Sequence, residues 1–309
     1  MTTTLAPLRA KKDRRSGRPR ERGLLSAHDW KRSSVRGGWT LMHIVLVAGL
    51  IGFGAIPLVW MLRAAISTPT DLVLRPLSLI PEPAMWENIP VAWELLDIGH
   101  YLWNTVILVL GSWIVQLVVS TTAGFALAVI RPWYGGVVYG AFLVTLFVPA
   151  TVTLIALYLT VLDLPLLGVG ITDTPWAVWL PAGANAFTIL LVKQFFDEIP
   201  RDLFEAAQID GAGWFTIFWR IVLPMSRPIL AVVSLLAIMS AWKEFLWPLI
   251  VLTDPEAQPL SVALPRLAQA TSPAYLIAGL LIASIPPILV FLIFQRSIVR
   301  GIGFTGLKG

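Results

Sequence analysis

Lys243 and Glu244 stand side by side in an otherwise uncharged apolar stretch, 228–251. An amine and a carboxylate so placed have two chemical uses. They can act as general acid and base, or they can serve a polar pathway inside a membrane, where ionisable groups seldom lack a role. Other chemistries lack their residues. There is no cysteine, which removes thiolate metal sites and cysteine nucleophiles. His28, His43 and His100 are scattered and form no H-E-x-x-H pair. Neither a G-x-x-x-x-G-K-[ST] phosphate loop nor a G-x-S-x-G elbow occurs. Gly301-Ile302-Gly303-Phe304-Thr305-Gly306 matches G-x-G-x-x-G in letters only, because a long apolar segment, not a strand, precedes it.

A second group of residues lies in the polar stretch 193–227, KQFFDEIPRDLFEAAQIDGAGWFTIFWRIVLPMSR. Asp197 or Glu198 followed by Pro200 suits a helix start. Leu203, Phe204, Ala206 and Ala207 continue the helix, and Gly211 suits a left-handed C-terminal cap. A second short helix is expected from about Gly213, ending at Pro224. Bulky apolar groups thus sit beside Glu205, Asp210 and Arg220. Such a hairpin can lie on lipid headgroups or dock a soluble partner.

The elements that carry these residues follow from composition. The 309 residues are 57% hydrophobic and 13% charged, about half the roughly 25% usual in soluble domains. Disorder and a disulfide scaffold are excluded. Six segments reach the roughly 20 residues needed to span a bilayer as helix: 40–62, 102–130, 133–162, 174–192, 228–251 and 275–294. Residues 1–36 hold 11 of the 23 basic residues against three acidic ones, which predicts a cytoplasmic N-terminus. The alternate loops agree: Arg63, Arg75 and Arg266 fall outside, whereas Arg131, Lys193, Arg201, Arg220, Arg227, Arg296, Arg300 and Lys308 fall inside. The start does not read as a signal peptide, since its first apolar run exceeds a 7–15-residue h-region. The expected organisation is a basic cytoplasmic tail over 1–39, near anionic lipid, and one membrane domain over 40–309. No folded nucleic-acid module accompanies the tail. Proline inside the spans, at Pro149, Pro181, Pro248, Pro286 and Pro287, predicts bends or breaks.

Glu205-Ala206-Ala207, three residues, Gly211, nine residues, then Ile221-x-Leu223-Pro224 resembles the EAA loop of bacterial ATP-binding cassette (ABC) importer permeases. Ile199-Pro200 and Asp210-Gly211-Ala212 follow the same pattern. Ala241-Trp242-Lys243-Glu244-Phe245-Leu246-Trp247-Pro248-Leu249 resembles the fifth-span signature of maltose-type carbohydrate permeases, and the C-terminal Gln295-Arg296 to Gly309 resembles their six-span subunit. Two positions depart: Lys243 stands where the family usually has Asn, and Ala156 where it often has Pro.

The resemblance implies an all-α membrane protein with six transmembrane helices, a MetI-like type I importer permease fold and both termini cytoplasmic. It implies a multi-pass protein of the bacterial inner membrane. Its partners would be a second permease subunit in a heterodimer, two cytoplasmic ATPase subunits and an extracytoplasmic solute-binding protein. ATP and Mg would sit on the ATPase, with no cofactor on this chain. Glu205, Ala206, Ala207, Asp210, Gly211, Ile221, Leu223 and Pro224 would couple to the ATPase. Two cargoes stay open. A neutral sugar or oligosaccharide would want aromatic faces and hydrogen-bonding groups, for which Trp242, Trp247, Asn185 and Thr188 are candidates. Glycerol-3-phosphate or a glycerophosphodiester would want a cation, for which Lys243 is the candidate. For Lys243, an interhelical ion pair and snorkelling to the interface are the competing roles. A membrane-embedded enzyme using Lys243 and Glu244 is the remaining alternative.

Overall fold

The computed structural model describes residues 33–165 and 167–303, and every regular element among them is helical. The chain divides at Pro57 into two units. In the first, the described residues belong to α1 (Ser33–Ala65), which continues into the second. Its apolar side chains face outward, with Leu50 73% and Phe53 83% exposed. A helix apolar in this way calls for an apolar surrounding.

The second unit continues with α2 (Pro69–Leu74), α3 (Asn88–Leu95) and α4 (Ile98–Phe125), which runs on through a π-helical turn (Ala126–Ile130). Then come α5 (Gly135–Thr145), α6 (Ala150–Leu162), α7 (Trp176–Gly183), α8 (Ala186–Asp197) and α9 (Arg201–Ile209). Next are α10 (Trp214–Ile217), a second π-helical turn (Phe218–Val222) and α11 (Leu223–Met225). The unit closes with α12 (Arg227–Lys243), α13 (Leu246–Val251), α14 (Leu260–Leu267) and α15 (Pro273–Gly303).

Three stretches, Gly37–Ala65, Ile98–Ile130 and Pro273–Gln295, are single helices long and apolar enough to cross a membrane. Three more candidates are bent pairs: α5 with α6 at 113°, α7 with α8 at 44°, and Trp214–Met225 with α12 at 79°. Proline inside the spans predicts bends or breaks, and three of the expected spans do break. The segment 133–162 turns before Pro149, which caps α6 in an extended conformation and disfavours helix at Val148. The segment 174–192 bends where Asn185 accepts the Thr188 amide at 3.0 Å and starts a new helix. The segment 228–251 breaks after Lys243. The Pro248 ring conflicts with the carbonyl four residues back, that of Glu244. Glu244 leaves the helix (φ −65°, ψ 127°), and its carbonyl accepts the Ser261 hydroxyl at 2.7 Å instead. Pro286 and Pro287, by contrast, lie inside the unbroken α15. Helix also begins at Ser33, inside the expected tail, and continues to Gly303, past the expected last span. The remainder of the tail and residues 304–309 lie outside the described residues.

Helix α4 is the hub, packing against α7, α8, α12 and α14. Bare backbone permits the closest approach: a Cβ on Gly111 would sit 2.1 Å from the Trp179 indole of α7. The connection from α13 to α14 is tied down by side chains. Asn104 donates to the Glu256 and Gln258 carbonyls at 2.7 and 3.1 Å, and Thr105 accepts the Leu260 amide at 2.8 Å. Asp173, in left-handed backbone at φ 57°, accepts the Asp254 amide at 2.9 Å and the Thr253 hydroxyl at 2.8 Å. One apolar cluster, built from Leu108, Val161, Val178, Trp247 and Val251, packs these helices together. Another, built from Phe125, Val192, Phe196, Phe204, Ile217 and Val222, lies under α9 and α10.

Candidate functional site

A cavity of about 400 Å³ opens among α4, α6, α7, α12 and α13. Thr105, Ser112 and Gln116 reach it from one face of α4, at spacings of seven and four. Asn185, Ser240 and Glu244 add polar groups from the other side, and Leu108, Leu154, Leu157 and Val178 add apolar wall. Mostly apolar lining with a few polar groups is how small-molecule sites are built. Glu244 is the one ionisable residue of the lining. Its Oε1 lies 3.4 Å from the Trp247 amide at the start of α13.

The sequence-predicted residues divide here. Glu244, Trp247 and Asn185 line the cavity. Trp247 also holds the fold, its indole donating to the Ala177 carbonyl at 2.9 Å. Thr188 is buried behind the wall, bonded to Gln116 at 2.7 Å and Asn185 at 3.1 Å. Lys243 and Trp242 are not part of the lining. Lys243 is exposed and has no ion pair or hydrogen bond among the described residues. The helix ends between them, and only Glu244 of the pair faces the cavity. Thr105, Ser112, Gln116 and Ser240 were missed by the reading of the sequence. Three of them form a polar row on an apolar helix, and that spacing was the available signal.

The α9–α10 hairpin is the second feature. Gly211 has φ 83° and ends α9. The Ala212 amide bonds to the Ala207 carbonyl at 2.9 Å and the Gly211 amide to the Gln208 carbonyl at 3.0 Å. This paired pattern is the Schellman cap, which reverses the chain. Phe204, Ile217 and Val222 anchor the hairpin in the apolar cluster beneath it. The other face is open: Glu205, Ala206 and Asp210 are exposed, together with Ile209 (87%), Phe215 (77%) and Trp219 (55%). Ala207, Ile221 and Leu223 are half-buried. Pro224 is exposed and does not end the second helix as expected, for helix continues to Met225. In the preceding π-turn the Leu223 amide bonds back to Phe218, five residues away. That wider turn relieves the clash a proline makes with an ordinary helix. Arg131 and Lys193 both pair with Asp197 beside the hairpin.

A bent-helix fold, a half-apolar cavity and an exposed apolar hairpin define a membrane transport component. Residues 120–303 match the family described as "Binding-protein-dependent transport system inner membrane component", and the chain belongs to that family. It is an ABC importer permease, a multi-pass inner membrane protein that works with an ATPase and a solute-binding protein. Transport, not the acid–base catalysis left open by Lys243 and Glu244, is its activity, and ATP hydrolysis belongs to the partner ATPase. The chain is 30% identical over 271 residues to the sn-glycerol-3-phosphate transport system permease protein UgpE of Brucella suis biovar 1 (strain 1330), covering 84% of this chain and 94% of that one. It is 33% identical over 281 residues to the probable ABC transporter permease protein YurM of Bacillus subtilis (strain 168), covering 88% of each. It is 31% identical over 248 residues to the lactose transport system permease protein LacG of Rhizobium radiobacter, covering 79% and 88%. The fold is similar to that of a chain in the crystal structure of a bacterial ABC transporter involved in the import of the acidic polysaccharide alginate, with TM-score 0.73 and 23% identity over 86% of this chain and 98% of that one.

Proposed function

We propose that this permease carries a sugar or oligosaccharide, that its cavity forms half of the translocation path, and that the α9–α10 hairpin couples it to the ATPase. The observation that carries the coupling is the hairpin's two-sidedness: Phe204 and Ile217 seat it firmly, while Ile209, Phe215 and Trp219 face outward beside Glu205. Exposed apolar groups ringed by charge suit a protein interface. The hairpin lies on the cytoplasmic side, with both termini. The assembly holds a second permease subunit, two ATPase subunits and an extracytoplasmic binding protein. ATP and Mg bind on the ATPase, and this chain holds no cofactor. Closure of the ATPase dimer moves the hairpin and re-aims the cavity, a coupling that requires the hairpin to bind differently in the two states. Glycerol-3-phosphate is the second reading, supported by the name that one set of relatives carries.

Co-expression with the ATPase and second permease subunits of the same transporter tests the coupling. The ATPase should copurify with the native chain, and Glu205→Ala should weaken its retention about tenfold, the scale for losing a charge at an interface. Undiminished retention in Glu205→Ala and in Phe215→Ala would remove the hairpin from the interface.

A further inference from the structure

We infer that Glu244 gives the cavity a negative potential, so that it accepts neutral polyhydroxylated or cationic solutes and disfavours anions such as phosphate monoesters. This deepens the proposed function and rests on the cavity being part of the path. Among the described residues no cationic side chain lines the cavity, and Glu244 is its one ionisable group. The adjacent cation, Lys243, lies outside the lining. The C-terminus of α12, which ends at Lys243, adds partial negative charge of the same sign. Apolar walls at Leu108, Leu154 and Leu157 limit screening and extend the reach of that charge.

A capping role does not account for the carboxylate. Its contact with the Trp247 amide, at 3.4 Å, is at the edge of hydrogen bonding, and a neutral glutamine oxygen would serve it as well. What remains specific to Glu244 is its charge. Hydroxyl donors of a sugar can bond to it, and Ser240, Asn185 and Gln116 supply further polar groups around the same space. A phosphate would meet one carboxylate and no counter-charge.

The absence of cysteine makes the potential measurable. Ser240 lines the cavity, is exposed, and lies four residues before Glu244, about 6 Å along a helix axis. In the assembled transporter, with cysteine-free partners and in lipid nanodiscs, Ser240→Cys is treated with a trimethylammonium and a sulfonate methanethiosulfonate. The ratio of the two rates is referred to that of free 2-mercaptoethanol. The cationic reagent should be favoured, and adding Glu244→Gln should lower the ratio at least about fivefold. A ratio that Glu244→Gln leaves unchanged overturns the inference. So does native uptake of glycerol-3-phosphate in preference to neutral sugars. The path itself is tested separately with a bulky maleimide on the same thiol, which should abolish uptake across a panel of radiolabelled monosaccharides, disaccharides and glycerol-3-phosphate. Uptake that persists on fully labelled thiol overturns the path reading, whatever the charge ratio shows.

Discussion

Gln116 on α4 donates its side-chain amide to the Thr188 hydroxyl on α8 at 2.7 Å, joining residues 72 apart in sequence. Thr188 donates in turn to Asn185 Oδ1 at 3.1 Å, so one polar line runs from the hub helix to the cap of α8 at the cavity's edge. Polar links between membrane helices average about 0.6 kcal/mol and reach about 1.7. Gln116→Ala should therefore cost about 1 kcal/mol in reversible unfolding from mixed micelles. A double-mutant cycle with Thr188→Ala should recover most of that as coupling energy. Additive single effects would show that the bond contributes nothing to stability.

Gly111 presents bare backbone to Trp179, and a Cβ there would clash at 2.1 Å with the indole. Gly111→Ala should destabilise by about 1–3 kcal/mol through overpacking. Trp179→Leu should rescue it, because the obstruction is the ring. Equal melting temperatures for Gly111→Ala and the native chain would refute this packing.

The Gly211 turn makes a different demand. Nothing lies within 4 Å of a Cβ built there, so space is not the constraint; the positive φ is. Left-handed backbone costs a branched residue about 1–2 kcal/mol. Gly211→Val should insert in the membrane yet lose uptake while ATP hydrolysis continues, whereas Gly211→Asn should retain most uptake. Proteoliposomes that report ATP hydrolysis and solute entry together decide this. Native coupling in Gly211→Val would separate the turn from energy transfer.

Asp173, in the connection between α6 and α7, holds the α13–α14 loop through its carboxylate. Bonding from the Asp254 amide is the largest cause of a pKa below the ordinary 3.8, with the Thr253 hydroxyl and amide adding to it against partial desolvation. A depressed folded-state pKa stabilises the tie above the ordinary value and releases it as pH falls through the lowered one. Protection factors of the Thr253 and Asp254 amides, each rate referred to the unprotected rate at the same pH, should stay high near neutrality and fall below about pH 3.8. Asp173→Asn, which tolerates the same φ, should lower that protection near neutrality and remove its acid response. A pH response that survives in Asp173→Asn would assign it to another group.

The distribution of basic residues predicts the orientation. A reporter fused after Lys308 should be active in the cytoplasm, and one inserted near Pro83 should be active outside. Cytoplasmic activity at Pro83 would overturn the six-span path.

Local signals were legible in the sequence and long-range ones were not. Pro200, Gly211 and Gly213 act within a few residues, so both hairpin helices and their turn could be read directly. Pro248 also acts locally, against the Glu244 carbonyl, so a break near it was legible, whereas Pro286 and Pro287 carried the same signal and lie in an unbroken helix. The cavity needs Thr105 to meet Leu260, 155 residues away, and Gln116 to meet Thr188. Periodicity along one helix shows that a polar face exists but not what it faces. That Lys243 and Glu244 point different ways follows from their adjacency, but which of them lines a cavity does not.

One π-turn ends α4 and packs in the apolar cluster beneath the hairpin, and the other leads from α10 toward α12. Phe125 and Phe218, one at each turn, meet with ring centres 5.1 Å apart and planes tilted by 59°. A π-turn holds one residue more than an α-turn. Expelling that residue advances the chain beyond it by about 1.5 Å and swings it through about 100° without breaking the helix. The end of α4 and the exit of the hairpin therefore each contain slack of one residue, the increment by which a helix can be lengthened or rotated while its backbone bonds are re-paired rather than lost.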